Sequence, residues 1–308
     1  MVFSSFRIML LSTTLLVLQV GCASLQGQGD LQRARTIADR GQLRYDLADT
    51  PPFVLTRFAR INAPDAPLLV FLEGDGHAWR SRSEVSPDPT PDRPVALELA
   101  AQEAAAHPKA NVLYLARPCQ YTPFGMNPAC RSEYWTSRRY AEEVVAATQA
   151  AIDQAVLAGG TRGVSLLGYS GGAALAALVA VRRHDVLSLQ SVAGNLDPEE
   201  LNRFHGVSPL RGLDAAATAP QLASIPQIHW IGGRDAVVPP QVAQSWLQKS
   251  GDTNRISIRV VKQASHVDGW SEYWASGTPI VAEAVPADAV GRKNNNTAVK
   301  GRQAGDIL

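Results

Sequence analysis

Short, wholly apolar runs alternate with longer runs of helical spacing over residues 53–261 of this 308-residue chain. PLLVFLE (Pro67–Glu73), NVLYLA (Asn111–Ala116), Val164–Gly168, Val186–Val192, Gln227–Ile231 and Ile256–Val261 read as strands, and Phe53–Phe58 alternates weakly. Between them Ala96–Ala106, Arg138–Ala158, Gly172–Val181 and Pro240–Lys249 read as helices, the second with Ser137 as N-cap and Gly159-Gly160 as its stop. Continuous apolar strands, unlike alternating ones, need cover on both faces. This alternation therefore predicts an α/β fold with a parallel sheet between two helical layers.

The pattern fails at both ends. Residues 22–40 are polar and weakly patterned, and suit a tether; residues 277–308 are nearly without apolar positions in register and read as a disordered tail. The domain is thus expected over 41–276. Residues 1–21 carry one charge, Arg7, ahead of the apolar run Ile8–Val20, which is too short to span a bilayer and suits an export signal. The stretch LQVGCASL resembles a bacterial lipoprotein signal, in which Cys22 becomes the lipidated N-terminus and holds the protein on the periplasmic side of a membrane. Gly21 fits that pattern; Gln19 departs from it, where an aliphatic residue is usual. The alternative is a soluble exported protein.

Export bears on the two remaining cysteines. Cys119 and Cys130 lie 11 apart in a loop-like stretch, and in an oxidising compartment they are expected to form a disulfide. Two cysteines without paired histidines do not complete a metal shell, so no metal site is expected. Charged residues make up 19% of the chain and the formal net charge is +1, with no basic face, which argues against nucleic acid as a partner.

In parallel sheets function gathers at the loops leaving the C-terminal strand ends. Here those loops begin EGDGHAW, RPCQY, GYSGG, GNLD, GGRDAVVP and KQASHVDGW. A serine, an aspartate and a histidine stand at three of them, in that chain order. Gly168-Tyr169-Ser170-Gly171-Gly172 has the G-x-S-x-G form of a nucleophile elbow, a strand-to-helix reversal that exposes a strained serine and leaves no room for side chains at the flanking glycines. A serine hydroxyl needs a base. His266 follows a strand by five residues and is the first candidate; His77 competes, and His229, inside a strand, reads as structural. The base needs an acid to fix its tautomer. Asp235 is the candidate, with Asp197 as rival. An oxyanion needs two N–H donors. Gly171 offers one and Asp75 the other, with Gly76 next to it.

These residues resemble the α/β-hydrolase fold family, through FLEGDG, GYSGG, GGRDAVVP and ASHVDGW in family order across residues 67–270. The resemblance implies an eight-stranded, mostly parallel sheet, no cofactor, and Ser170, Asp235 and His266 as nucleophile, acid and base. Glu73 departs from the family, where histidine is common before the oxyanion glycine; it is expected to point away and bond the loop backbone. Two further stretches, RPCQY…C…YWTSRRY and AGNLDPEELNRFHGVSPL, resemble a group of exported bacterial α/β-hydrolases. The family usually carries a cap between the sixth and seventh strands, here residues 194–225. Tyr169, Tyr121, Trp135 and Trp79 are candidates for the pocket entrance. The implied activity is cleavage of a small carboxylic ester through an acyl-enzyme. The same triad also serves acyl transfer and peptide cleavage, and a binding protein on the same fold is the non-enzymatic alternative.

Overall fold

The computed structural model describes residues 29–275. The expected signal 1–21, the lipidation residue Cys22 and the tail 277–308 lie outside the described residues. Eight strands form one sheet: β1 (Arg44–Thr50), β2 (Phe53–Arg60), β3 (Leu68–Leu72), β4 (Asn111–Leu115), β5 (Val164–Tyr169), β6 (Val186–Val192), β7 (Gln227–Gly232) and β8 (Ile256–Val261). Their order is β1-β2-β4-β3-β5-β6-β7-β8. β1 pairs antiparallel with β2, and β2 with β4; every other pairing is parallel.

The helices are α1 (residues 29–40), α2 (Val95–Ala106), α3 (Glu142–Gly159), α4 (Gly171–Ala180), α5 (Pro198–His205), α6 (Ala219–Leu222), α7 (Pro240–Ser250) and α8 (Trp270–Ala275). They divide by face, and the strands show why. In β3, Leu68, Val70 and Leu72 pack with α3, α4, α6 and Trp246 of α7, while Leu69 and Phe71 pack with α1, α2 and α8. Successive side chains point to opposite faces, so a strand covered on both sides is apolar at every position. Each such Leu or Phe contributes roughly 1.5–3 kcal/mol by leaving water. β5 and β3 are adjacent in the middle of the sheet, and their C-terminal ends carry GYSGG and EGDG to the same edge.

Three expectations need correction. Residues 29–40 are not a tether. They form a helix whose Ala34, Ile37 and Ala38 are buried in the α2/α8 core, so folded structure begins ahead of residue 41. Helix α3 starts at Glu142 rather than Arg138, with no side-chain cap at its start, so Ser137 is not its N-cap. The physical reason lies in its leading residues: the backbone N–H of Arg138 donates to the Glu133 carbonyl, Arg139 pairs with Asp75 and the Tyr140 hydroxyl donates to the Gly171 carbonyl. Those contacts hold the segment in turns. The far end stops as the glycines suggest, with Gly160 left-handed at φ 59°. Lastly, none of residues 194–225 lines the cavity above Ser170. Helix α5 packs beside α7, and α6 beside α4 and α7, so this connection belongs to the helical layer and meets the cavity wall through His205, whose Nε2 lies 2.7 Å from the Val237 carbonyl.

Candidate active site

The chain reverses between β5 and α4 within one residue. Ser170 sits at φ 49° and ψ −122°, a conformation that costs an L-residue about 1–3 kcal/mol. The surroundings hold it there. Its N–H donates to the Val192 carbonyl at 3.0 Å, and its carbonyl accepts from the Asn195 N–H at 2.9 Å. The flanking glycines are required by close approach: a Cβ on Gly168 would lie 2.3 Å from the Gly172 carbonyl oxygen, and one on Gly172 would lie 2.4 Å from that of Leu72.

His266 reaches this serine from the loop after β8. Its Nε2 lies 3.0 Å from Ser170 Oγ, and its Nδ1 lies 2.9 Å from Asp235 Oδ2. Asp235 comes from the loop after β7, and its side chain is fully buried. Its other oxygen, Oδ1, accepts the N–H groups of Val237 and Val238 at 2.8 and 2.9 Å. One carboxylate oxygen is thus fixed by backbone while the other faces the imidazole. With Nδ1–H directed at Asp235, Nε2 presents its lone pair to the serine hydroxyl, which is the tautomer a general base requires.

His77 and His229 are engaged elsewhere. His77 Nδ1 pairs with Asp92 at 3.0 Å. His229 is buried between Ser191 and Gln227, and burial pushes its pKa down to about 3, so it stays neutral in the core. Asp197, the rival acid, caps α5 through the Glu200 N–H and receives Ser245 Oγ and Lys249 Nζ.

Gly171 opens α4, so its N–H has no carbonyl within the helix to bond and is free toward the serine's side of the turn. The facing loop follows β3. Glu73, wholly buried, accepts the Gly74 N–H at 2.9 Å on one oxygen and the Tyr114 hydroxyl at 3.1 Å on the other. That use of Gly74 leaves the next N–H, of Asp75, without a partner among the described residues. Burial pushes the Glu73 carboxyl up to about 7, against the hydrogen bonds that favour its ionised form.

Asp75 has a second feature that its sequence context did not signal. Its carboxylate packs against Gly171 so closely that a Cβ there would lie 2.2 Å from Oδ1. Arg117 Nη1 donates to Oδ1 at 3.0 Å and Arg139 Nη1 to Oδ2 at 2.5 Å. Burial alone would raise this carboxyl, but the two guanidinium charges outweigh it and hold Asp75 below the usual carboxylate range. Both arginines stand in stretches that the sequence reading treated as loop and helix. Only the distant pairing across residues 75, 117 and 139 gives them a role, and one sequence cannot show that.

Tyr169 is also more than an entrance aromatic. Its hydroxyl donates to the His266 carbonyl at 3.0 Å, where Trp270 Nε1 also donates at 3.1 Å. Two donors from different elements thus pin the loop that carries the imidazole. Of the other aromatics, Trp79 lines the cavity, whereas Tyr121 and Trp135 are buried away from it, Trp135 donating to the Ser86 carbonyl. The Cys119–Cys130 disulfide closes the neighbouring loop, in which Gln120 Nε2 donates to the Gly74 carbonyl at 3.0 Å. The cavity itself holds about 480 Å³ above Ser170 and His266, walled by Trp79, Tyr169, Val237 and Val267 together with Arg93 and Arg139.

No protein-family model and no curated protein matches the sequence. Solved structures do. TT1662 from Thermus thermophilus is 19% identical, covering 73% of this chain and 91% of its own, with a TM-score of 0.51. The Pyrococcus furiosus esterase Pf2001 is 12% identical over 76% of this chain and 88% of its own, with a TM-score of 0.51. An alpha-beta serine hydrolase homologue from Coxiella burnetii is 15% identical over 73% of this chain and 89% of its own, with a TM-score of 0.50. So low an identity shows likeness of fold alone, and in this chain that fold is an eight-stranded, mostly parallel sheet with helices on both faces. The chain has the α/β-hydrolase fold.

Proposed function

We propose that the protein is a serine hydrolase that cleaves a carboxylic ester through an acyl-enzyme. The observation that carries this reading is the unbroken chain from Ser170 Oγ through His266 to Asp235, at 3.0 and 2.9 Å, beside two N–H groups without partners among the described residues. In this reading His266 Nε2 takes the Ser170 proton as Oγ attacks the ester carbonyl. The oxygen of that carbonyl gains charge and is received by the Gly171 and Asp75 N–H groups. A donor already in place strengthens its bond as charge develops, and each such donor is worth about 10²–10³ in rate. His266, now an imidazolium stabilised by Asp235, returns its proton to the departing alcohol. Water then enters by the same route in reverse: His266 takes its proton as the water oxygen bonds to the acyl carbon, and returns it to Ser170 Oγ as the acyl–Oγ bond breaks and the acid leaves.

The charge near this hole favours the reading. An unpaired Asp75 carboxylate against Gly171 would oppose an oxyanion; with Arg117 and Arg139 bound to it, the group carries a net positive charge. The test is a fluorophosphonate probe, which phosphonylates an activated serine. Wild type is expected to label at Ser170 and Ser170→Ala to remain unlabelled with its fold intact. A folded wild type that does not label refutes the proposal.

A further inference from the structure

We infer that the substrate of this site carries a carboxylate close to its scissile ester, and that Arg139 receives it. The inference rests on the hydrolase reading above and adds a substrate class to it.

Among the cations around the cavity, those with an unpartnered nitrogen are the ones able to take an anion. Arg93 has a partner on every nitrogen: its Nε and Nη2 donate to Glu98 and its Nη1 to Asp268. His77 is paired with Asp92 through Nδ1. Arg117 is 5% exposed and braces the site from behind, with Nη1 on Asp75 and Nη2 on the backbone carbonyl of Arg139. Arg139 differs. Its Nε donates to the Thr136 carbonyl at 2.9 Å and its Nη1 to Asp75, while its Nη2 has no partner among the described residues. Its side chain is 17% exposed and lines the cavity above Ser170.

Charge points the same way. Two guanidinium groups share the single Asp75 carboxylate, so this cluster holds one positive charge in excess. It lies against Gly171, next to the reacting serine. The other carboxyls of the lining are engaged: Glu73 gives its oxygens to Gly74 and Tyr114, and Asp92 pairs with His77. A purely apolar acyl chain filling this space would strip water from Arg139 and return nothing to it. A carboxylate would take Nη2–H in a charge-assisted bond and neutralise the excess charge. Arg139 is already oriented by Thr136 and Asp75, so little freedom is lost when it binds.

Two matched pairs of esters separate charge from size, one for each side of the scissile bond. Monomethyl adipate against methyl hexanoate places the carboxylate on the acyl side; 4-acetoxybenzoate against 4-acetoxybenzamide places it on the leaving group. In the full-length protein kcat/KM is expected to favour the charged member of at least one pair by about tenfold or more, the scale of one charge-assisted hydrogen bond. In Arg139→Met that preference should vanish, and in Arg139→Lys return in part, because charge is restored without the planar fork. Arg139 also braces the Asp75 loop, so the ratio within a pair is the readout, not the absolute rate. A further measurement needs no variant. Glutarate should protect wild-type Ser170 from the fluorophosphonate at concentrations where glutaramide does not. Turnover of neutral esters with no charged preference in either pair, or a preference indifferent to Arg139, overturns this inference alone. An unlabelled Ser170 with no turnover of any of the four esters overturns the hydrolase reading and this one together.

Discussion

At the scale of single residues, the site separates two carboxyls that stand two positions apart in sequence. Asp75 is buried with two arginines and is held ionised; Glu73 is buried with hydrogen bonds alone and is pushed up to about 7. The difference lies chiefly in partners: two guanidinium groups face Asp75, whereas Glu73 meets only hydrogen-bond donors. It has a consequence for stability. A carboxyl raised from 4.5 to about 7 on folding binds more protons folded than unfolded across that interval. Stability contributed by its protonated form is complete below pH 4.5 and is lost as pH rises toward 7, up to about 3 kcal/mol. Glu73→Gln keeps a carbonyl oxygen for the Gly74 N–H and removes the titration. The urea midpoint of wild type relative to Glu73→Gln is therefore expected to fall between pH 4.5 and 7 and to level off above it. A difference that is flat with pH would show that Glu73 is not held near neutrality. Sequence alone marked Glu73 as a departure from the family, but the Tyr114 hydroxyl that receives it comes from another strand.

At the scale of elements, the turn from β5 to α4 was the most legible part of the chain. G-x-S-x-G between an apolar strand and an alanine-rich helix specifies its own local geometry, and the close approaches at Gly168 and Gly172 follow from it. Gly171 is different. Its constraint comes from the Asp75 carboxylate in a loop nearly a hundred residues away, so the motif leaves the position open while the fold does not. Gly171→Ala should therefore damage function more than folding. The new methyl would displace Asp75 and with it the second oxyanion donor. Esterase kcat is expected to drop about 10²–10³-fold, the scale of one lost donor, while the melting temperature changes little. Activity near that of wild type would show that Asp75 N–H is not part of the hole. The start of α3 teaches the converse. RRYAEEVV has helical spacing, yet Arg139 and Tyr140 gain more from Asp75 and Gly171 than from another helical turn. Propensity is worth tenths of a kcal/mol per residue there and yields to an ion pair.

At the scale of the whole molecule, the central strands were readable because a sheet covered on both faces forces continuous apolar runs. The edges were not. β1 borders the sheet and alternates, with Arg44, Asp46 and Asp49 on exposed or half-exposed positions, so its composition is that of a surface segment. Helix α1 is harder still. GDLQRARTIADR offers only Leu31, Ala34, Ile37 and Ala38 to the core, small or sparse residues in a polar background, and its role depends on a face supplied by α2 and α8. Yet it is tied to more than core. Arg33 donates to the Asp92 carbonyl in the loop that lines the cavity, and Arg35 stacks over the Tyr45 ring at 4.2 Å. A chain beginning at residue 41 would lose the buried Ala34, Ile37 and Ala38 and the partly buried Leu31, and expose the surface they cover. Burial of one medium apolar side chain is worth roughly 1.5–3 kcal/mol, less for alanine, so the combined loss is a substantial part of a domain's stability. Such a truncation is expected to melt several degrees below a chain beginning at residue 23 and to show a higher KM through the loosened Asp92 loop. Equal melting temperatures would mean that residues 29–40 add nothing to the fold and that the tether reading of this segment was sufficient.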